Sequence, residues 1–201
     1  MLGLPKATEL NRTLPKKANF DKFKPGAADR QRFDTDIRRL AIVHEISTTT
    51  VNIAAGETIS AFFVVLVNLR SADCDPKNIQ LISKLIPQNM LFVLEHEDKA
   101  RLATFRTKVI QTEWKPLEEW EIKLTGLNLD SVWENIIVQI GDVEITEGNT
   151  LDDQLAADEE RAKLLRRIEQ LEKQARSEKQ PRRKWELVEE VKRLKSVMEE
   201  E

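Results

Sequence analysis

The chain has 201 residues, of which 40% are apolar and 33% charged, and a formal net charge of −3. That is enough for one cored domain of about 150 residues plus an appendage. No membrane span is expected, because the longest apolar run, Ile59 to Val67, is about half of what a spanning helix needs and Ser60 interrupts it.

The start, Met1-Leu2-Gly3-Leu4-Pro5-Lys6, lacks the basic head and apolar core of a signal peptide, so a cytoplasmic address is expected. The single cysteine, Cys74, excludes an internal disulfide. It lies between Asp73 and Asp75, with no basic neighbour in sequence to lower its pKa, and reads as an ordinary loop or core thiol.

Charge divides the chain into three segments. Residues 1–40 carry ten Lys/Arg against five Asp/Glu, residues 41–150 carry nine against sixteen, and residues 151–201 carry thirteen against fourteen. The segments read as a basic lead-in, an acidic mixed α/β domain and a charged helical arm. A sign split of this kind shapes association more than fold, and it disfavours nucleic-acid binding by the whole domain.

In the lead-in, Leu4, Leu10 and Leu14 could line a short helix from Pro5, with Pro15 ending it. Pro25-Gly26 marks a turn before a second short helix from Ala27 to about Asp34. Lys16, Lys17, Lys22 and Lys24 interleave with Phe20 and Phe23. That pattern could clasp a phosphate backbone, but two phenylalanines anchoring a loose terminus is the simpler reading.

The body alternates strands and helices. Ile37 to Ile46 and Thr49 to Ile53 read as a pair of strands, and Thr58 to Leu69, apolar on both faces through Phe62-Phe63-Val64-Val65-Leu66-Val67, as a central strand. Asp75-Pro76 starts a helix with Ile79, Ile82, Leu85 and Ile86 on its buried stripe, and Pro87 closes it. Met90 to Leu94 is then a strand parallel to the central one, joined by a right-handed crossover. Glu97-Asp98-Lys99 turns the chain into an antiparallel strand from Arg101 to Ile110, and Glu119 to Leu124 reads as a last strand. Asp130 or Ser131 should cap a helix from Val132 to Ile140, with Glu134 completing a capping box and Gly141 ending the helix. The expected fold class is α/β, a mixed parallel/antiparallel sheet with flanking helices, plus a C-terminal helical hairpin or coiled-coil arm.

Catalytic motifs are scarce. His44 and His96 are the only histidines, and neither stands in a metal-ligand spacing. The six glycines are scattered, with no phosphate-binding loop and no Gly-x-Ser-x-Gly elbow. No cofactor and no metal site are expected. The one enzymatic candidate is Glu121-Ile122-Lys123, which matches the Glu-x-Lys half of a Mg²⁺-dependent restriction-endonuclease-like site. A partner carboxylate on a neighbouring strand is not evident. Alternation alone would also place Glu121 and Lys123 on a solvated face.

Three blocks carry a resemblance. They are Leu2-Gly3-Leu4-Pro5-Lys6-Ala7-Thr8-Glu9-Leu10-Asn11, the segment from Ile79 to Phe92, and Gln111-Thr112-Glu113-Trp114-Lys115-Pro116-Leu117. With Trp133-Glu134-Asn135-Ile136 and the arm, they resemble a bacterial family identified as domain of unknown function 4391, over nearly the whole chain. The resemblance implies no activity and no catalytic residue. What it does imply is a setting, beside helicases and adenine-specific DNA methyltransferases of restriction-like defence clusters, and hence a protein partner of that kind.

The last segment, with no Phe, no Gly and a single Pro, has the composition of exposed helices. From Leu151 a helix should run to about Glu178 with Leu164, Ile168, Leu171 and Ala175 in line, and Leu165 widening the stripe. Gln180-Pro181 interrupts it, and a second helix presents Leu187, Val191, Leu194 and Met198 in heptad order with Val188 alongside. Facing stripes favour an antiparallel hairpin; one kinked helix that dimerises through the arm is the alternative. Arg176, Lys179, Arg182, Arg183 and Lys184 gather at its tip, opposed in the sequence window by Glu178 alone, with Trp185 just behind. These residues could grip nucleic-acid phosphates or a protein partner, while Trp185 could instead close the hairpin core. The expected function is an accessory interaction subunit acting through the arm, with a Mg²⁺-dependent nuclease as the alternative.

Overall fold

Ala61–Leu69 (β3) is apolar on both faces, and the rest of the sheet is ordered outward from it. The protein is described by a computed structural model covering residues 2–15, 25–141 and 151–200, which separates into two units, Met1–Val143 and Glu144–Glu201. The lysines and phenylalanines of the lead-in, Lys16 to Lys24, fall outside the described residues. In the first unit, β1 (Glu9–Thr13), β2 (Ile37–Ser47), β3, β4 (Asn89–His96), β5 (Lys99–Phe105) and β6 (Val109–Gln111) are neighbours in that order. The two-residue β7 (Lys115–Pro116) also pairs with β5. Among these strands β3 and β4 run parallel, with Val65 opposite Phe92, and the other strand pairs are antiparallel. A parallel pair needs a crossover, and α2 (Pro76–Leu85) supplies it.

Period-two alternation sends β3 side chains to two cores. Val65, Val67 and Leu69 join Phe92, Leu94, Ile79, Ile82 and Phe33 of α1 (Ala27–Asp36) on one face. On the other face Phe62 lies 5.0 Å, ring to ring, from Trp133 of α3 (Leu129–Gly141). Helices therefore cover the sheet on both sides, as an all-apolar central strand demands.

Side chains fix the junctions. The Asp75 carboxylate accepts the Lys77 amide at 2.9 Å with Pro76 in the first turn, as its sequence position predicts. Asp36 at the end of α1 accepts from the Asp75 amide (3.0 Å) and from Asn78 Nδ2 (2.6 Å), joining α1 to α2. His44 on β2 is 2% exposed and meets the Thr8 hydroxyl at 2.8 Å. Because Thr8 spends its own proton on the Pro5 carbonyl at 2.7 Å, His44 must donate from Nδ1.

Several expected elements differ. Leu4 to Leu14 holds no helix beyond a 3-10 turn at Lys6–Thr8, because the edge of β2 offers unpaired backbone that Glu9–Thr13 takes up as a strand. Thr49 to Ile53 is a turn rather than a strand. The Thr50 hydroxyl donates to the Glu45 carbonyl (2.9 Å) and accepts the Ser47 amide (2.9 Å), and such local bonds outcompete a ladder. The expected strand from Arg101 to Ile110 is two, β5 and β6, folded between Phe105 and Val109. Glu119 to Leu124 is not a strand: Glu119 ends a 3-10 turn at Leu117–Glu119 and the residues after it are irregular. Side-chain amides of α3 occupy its backbone instead: Gln139 accepts the Lys123 amide (3.2 Å) and donates to its carbonyl (3.1 Å), while Asn135 donates to the Thr125 carbonyl (2.8 Å).

The cap of α3 sits one turn earlier than expected. Asn128 Oδ1 accepts the Ser131 amide (2.9 Å) and the Ser131 hydroxyl accepts the Asn128 amide (3.2 Å), a box with serine in the place of Glu134. Asp130 is thereby released to gather the 57–59 loop, accepting the amides of Glu57 (2.7 Å), Thr58 (3.2 Å) and Ile59 (2.8 Å). Desolvation works against its ionisation, but those bonds and the Thr58 hydroxyl outweigh it and hold the carboxyl below its ordinary range.

The second unit is an antiparallel hairpin of α4 (Leu151–Ser177) and α5 (Pro181–Glu200). Lys195 reaches Glu172 at 2.8 Å and Arg167 reaches Glu190 at 3.5 Å, pairs that a single kinked helix could not make. Ile168, Leu171 and Val191 form its core, with Leu164, Leu187, Leu194 and Met198 against them, as the heptad spacing predicts. Glu178 makes the short reversal workable. Its carboxylate accepts the amides of Gln180 (2.9 Å) and Lys179 (2.8 Å), satisfying donors at the start of α5, and these bonds, the first above all, keep it ionised below its ordinary pKa.

Two stability outcomes follow from these contacts. Leu171→Ala should cost the hairpin about 2–4 kcal/mol, and Leu165→Ala, at a site 48% exposed, well under 1 kcal/mol, both read from denaturant unfolding by far-UV circular dichroism. Burial pushes the His44 imidazole below its ordinary pKa. The neutral form is favoured on folding, so its stabilisation is complete above about pH 6.5 and declines as pH falls below that value. The urea midpoint of the first unit should drop between pH 7.5 and pH 5.5, and the drop should shrink in His44→Gln.

Candidate functional site

The hairpin turn brings the tip residues together but not bare. Arg176 ends α4, Lys179 lies in the connector, and Arg182, Arg183, Lys184 and Trp185 open α5. Arg176 pairs with Glu172 at 3.6 Å and Arg182 with Glu186 at 3.4 Å, each four residues apart on one helix, and Arg183 with Glu178 at 3.6 Å. Five cations thus face three carboxylates, where the sequence window shows one. The helical spacing was readable, since Glu172 and Glu186 stand one turn from their arginines. These pairs lie at the surface with their arginines well exposed, and each is worth little, so they dilute the local field without locking the side chains.

Trp185 is 65% exposed and takes no part in the hairpin core. A tryptophan left in water on a rigid helix is an anchor available to something else. On one side of the hairpin lies a groove of about 350 Å³ that sequence reasoning missed, and Trp185 is not part of its lining. Its floor is Ala175, Val188 and Val191, and its rim Arg176, Lys184, Lys192 and Lys195 with Glu172. Val188, one position off the heptad line, is 36% exposed there. Its sequence cue is the second apolar row beside the heptad, continued by lysines.

The Glu-x-Lys candidate lies in the first unit. Glu121 and Lys123 line one cleft of about 620 Å³ with Glu119, Lys115, Trp120, Asn135 and Gln139. Lys115 sits 5.1 Å over the Trp120 ring, whose indole donates to the Ala100 carbonyl at 2.8 Å. The N-terminal strand entry closes in beside them. Gly3 adopts φ +67°, and a Cβ there would come within 3.0 Å of Glu121 Cγ. Two carboxylates and two lysines thus share a cleft, but on an irregular segment. Among the described residues no three Asp, Glu, His or Cys side chains gather as they would around a metal ion.

The remaining candidates are structural. Cys74 is buried, and burial pushes its thiol up to about 11, far from a nucleophile at neutral pH. His44 is tied to Thr8, and His96 pairs with Lys99 across the β4–β5 turn.

If the cleft acts on DNA with Mg²⁺, Glu121→Ala combined with Lys123→Ala should abolish cleavage of a plasmid substrate. No cleavage by the wild type, or equal cleavage by the variant, removes the nuclease reading.

Neither a curated protein nor a solved structure matches the chain. No helix among the described residues is long and apolar enough to cross a membrane. The family model for a domain of unknown function, DUF4391, matches residues 2–198, from the buried Leu2, whose carbonyl accepts the Ile122 amide, to Met198, which packs on the hairpin core. The chain therefore belongs to the DUF4391 family.

Proposed function

We propose that this protein is a cytoplasmic accessory subunit of a bacterial DNA-directed defence assembly, and that it contacts a helicase or DNA methyltransferase partner through its C-terminal hairpin. The observation that carries this is Trp185, 65% exposed on α5, the helix that also supplies Val188 and Val191 to an apolar-floored groove. Exposed aromatics and aliphatics next to cations have the composition of an interface core with a charged rim. The apolar floor of Ala175, Val188 and Val191 favours protein contact over phosphate binding, since a phosphate backbone would leave it unused. The nuclease remains a second reading, supported by the cleft that Glu121 and Lys123 share with Glu119.

Two measurements test the proposal. Deleting residues 151–201 should abolish co-purification with the neighbouring helicase or methyltransferase while leaving the near-UV spectrum of the first unit in place, and retention of the partner by the truncated chain would reject it. Reversing Arg182, Arg183 and Lys184 to glutamate should leave retention on immobilised DNA unchanged across a salt series. A loss that grows as salt falls would instead assign the tip to phosphates.

A further inference from the structure

We propose that the groove on the hairpin is the seat of an acidic amphipathic helix from a protein partner, which lies along α5 as a third helix; this rests on the reading of the hairpin as the contact region. Two packed helices bury one seam between them and leave a furrow on either side. Here the furrow is floored with Ala175, Val188 and Val191, and Val188 remains 36% exposed. Aliphatic side chains at the bottom of a furrow between parallel ridges are what a third helix covers, its own apolar stripe entering at an interaxial distance of 8–10 Å.

Charge selects the occupant. The rim sets Arg176, Lys184, Lys192 and Lys195 against one carboxylate, Glu172. Glu172 is shared between Lys195 at 2.8 Å and Arg176 at 3.6 Å, and Lys192 leans on Glu189 at 2.9 Å. Those surface pairs are weak and can be shared or exchanged with incoming acids. From Lys184 to Lys195 the row spans about 16 Å of helix, or three turns, which matches glutamates spaced by three or four residues on a partner lying alongside. A nucleic-acid strand fits less well. It could use the lysines, but no aromatic side chain lines the groove for a base to stack on, and the aliphatic floor would go unused.

The test uses the full chain and a synthetic helical peptide of three heptads with leucine at a and d, glutamate at e and g and alanine elsewhere, whose own glutamates discourage self-pairing. Controls are the same peptide with lysine at e and g, and a single-stranded oligonucleotide. In fluorescence titrations the acidic peptide should bind at least ten-fold tighter than the basic one and perturb Trp185 emission. Val188→Glu should weaken it ten-fold or more. The double variant Lys184→Glu, Lys192→Glu, which touches only exposed positions, should reverse the preference between the two peptides. Four outcomes overturn the inference: no binding of the acidic peptide, equal binding of the basic one, competition by the oligonucleotide that the double variant abolishes, or a sedimentation profile showing that a second copy of the chain fills the groove. If partner retention is lost on removing residues 151–201 but the peptide does not bind, the hairpin stands as the contact region and only the acidic-helix occupant falls.

Discussion

The constraint on which the first unit depends is the double burial of β3. A strand with no solvated face cannot sit at an edge, and its neighbours must supply both backbone partners and two apolar layers. β2 supplies the antiparallel partner directly. The parallel partner β4 can be reached only by a crossover, so α2 is fixed on one face by connectivity as much as by its own amphipathic stripe. The opposite face is then left to α3, whose Trp133 meets Phe62.

A further consequence concerns the backbone that the sheet does not use. Residues 121–125 join no ladder, yet their amides and carbonyls still need partners. Asn135 and Gln139, four residues apart on α3, provide them, acting as a short artificial strand edge. Asp130 does the same for the 57–59 loop. In both places a polar side chain on the covering helix holds an irregular segment in position, and this is how the Glu121–Lys123 cleft acquires a defined shape without being part of a strand.

The sequence made the central strand, the crossover helix and the hairpin seam legible because each is written in local periodicity: both-face apolarity in Phe62 to Val67, the Asp75-Pro76 start, and heptads on both sides of Pro181. Two of the failures have a cause that lies outside the segment. Glu9–Thr13 is a strand because β2 has an edge to offer, and Glu119 to Leu124 is not one because side chains of α3 take up its backbone instead. Neither fact is a property of the segment itself. Thr49 to Ile53 failed differently, through hydroxyl groups that satisfy the backbone locally. At the candidate sites, the residues at the tip were legible as a charge run, but their counterions were hidden by a linear window that ignores the helical turn. The groove was hidden because Val188 reads as a widened stripe, and only the relative rotation of the two helices decides whether such a residue is core or floor.

That rotation is set by the core and not by the tip. Ile168, Leu171 and Val191 turn the two helices toward each other so that Val188 falls just outside the seam. A hairpin optimised only for its own stability would place a charged residue there, since a half-exposed valine adds little to folding and lowers solubility. Lysines at 184, 192 and 195 instead flank it at one-turn intervals, keeping the face soluble while leaving its apolar floor accessible. The same arrangement explains why Glu172 carries two cations at once. With a single carboxylate on the rim, Arg176 and Lys195 are each only partly neutralised, and the groove keeps a net positive field over an uncovered aliphatic surface. Two helices satisfy their own seam; the field and the floor together are complementary to a third.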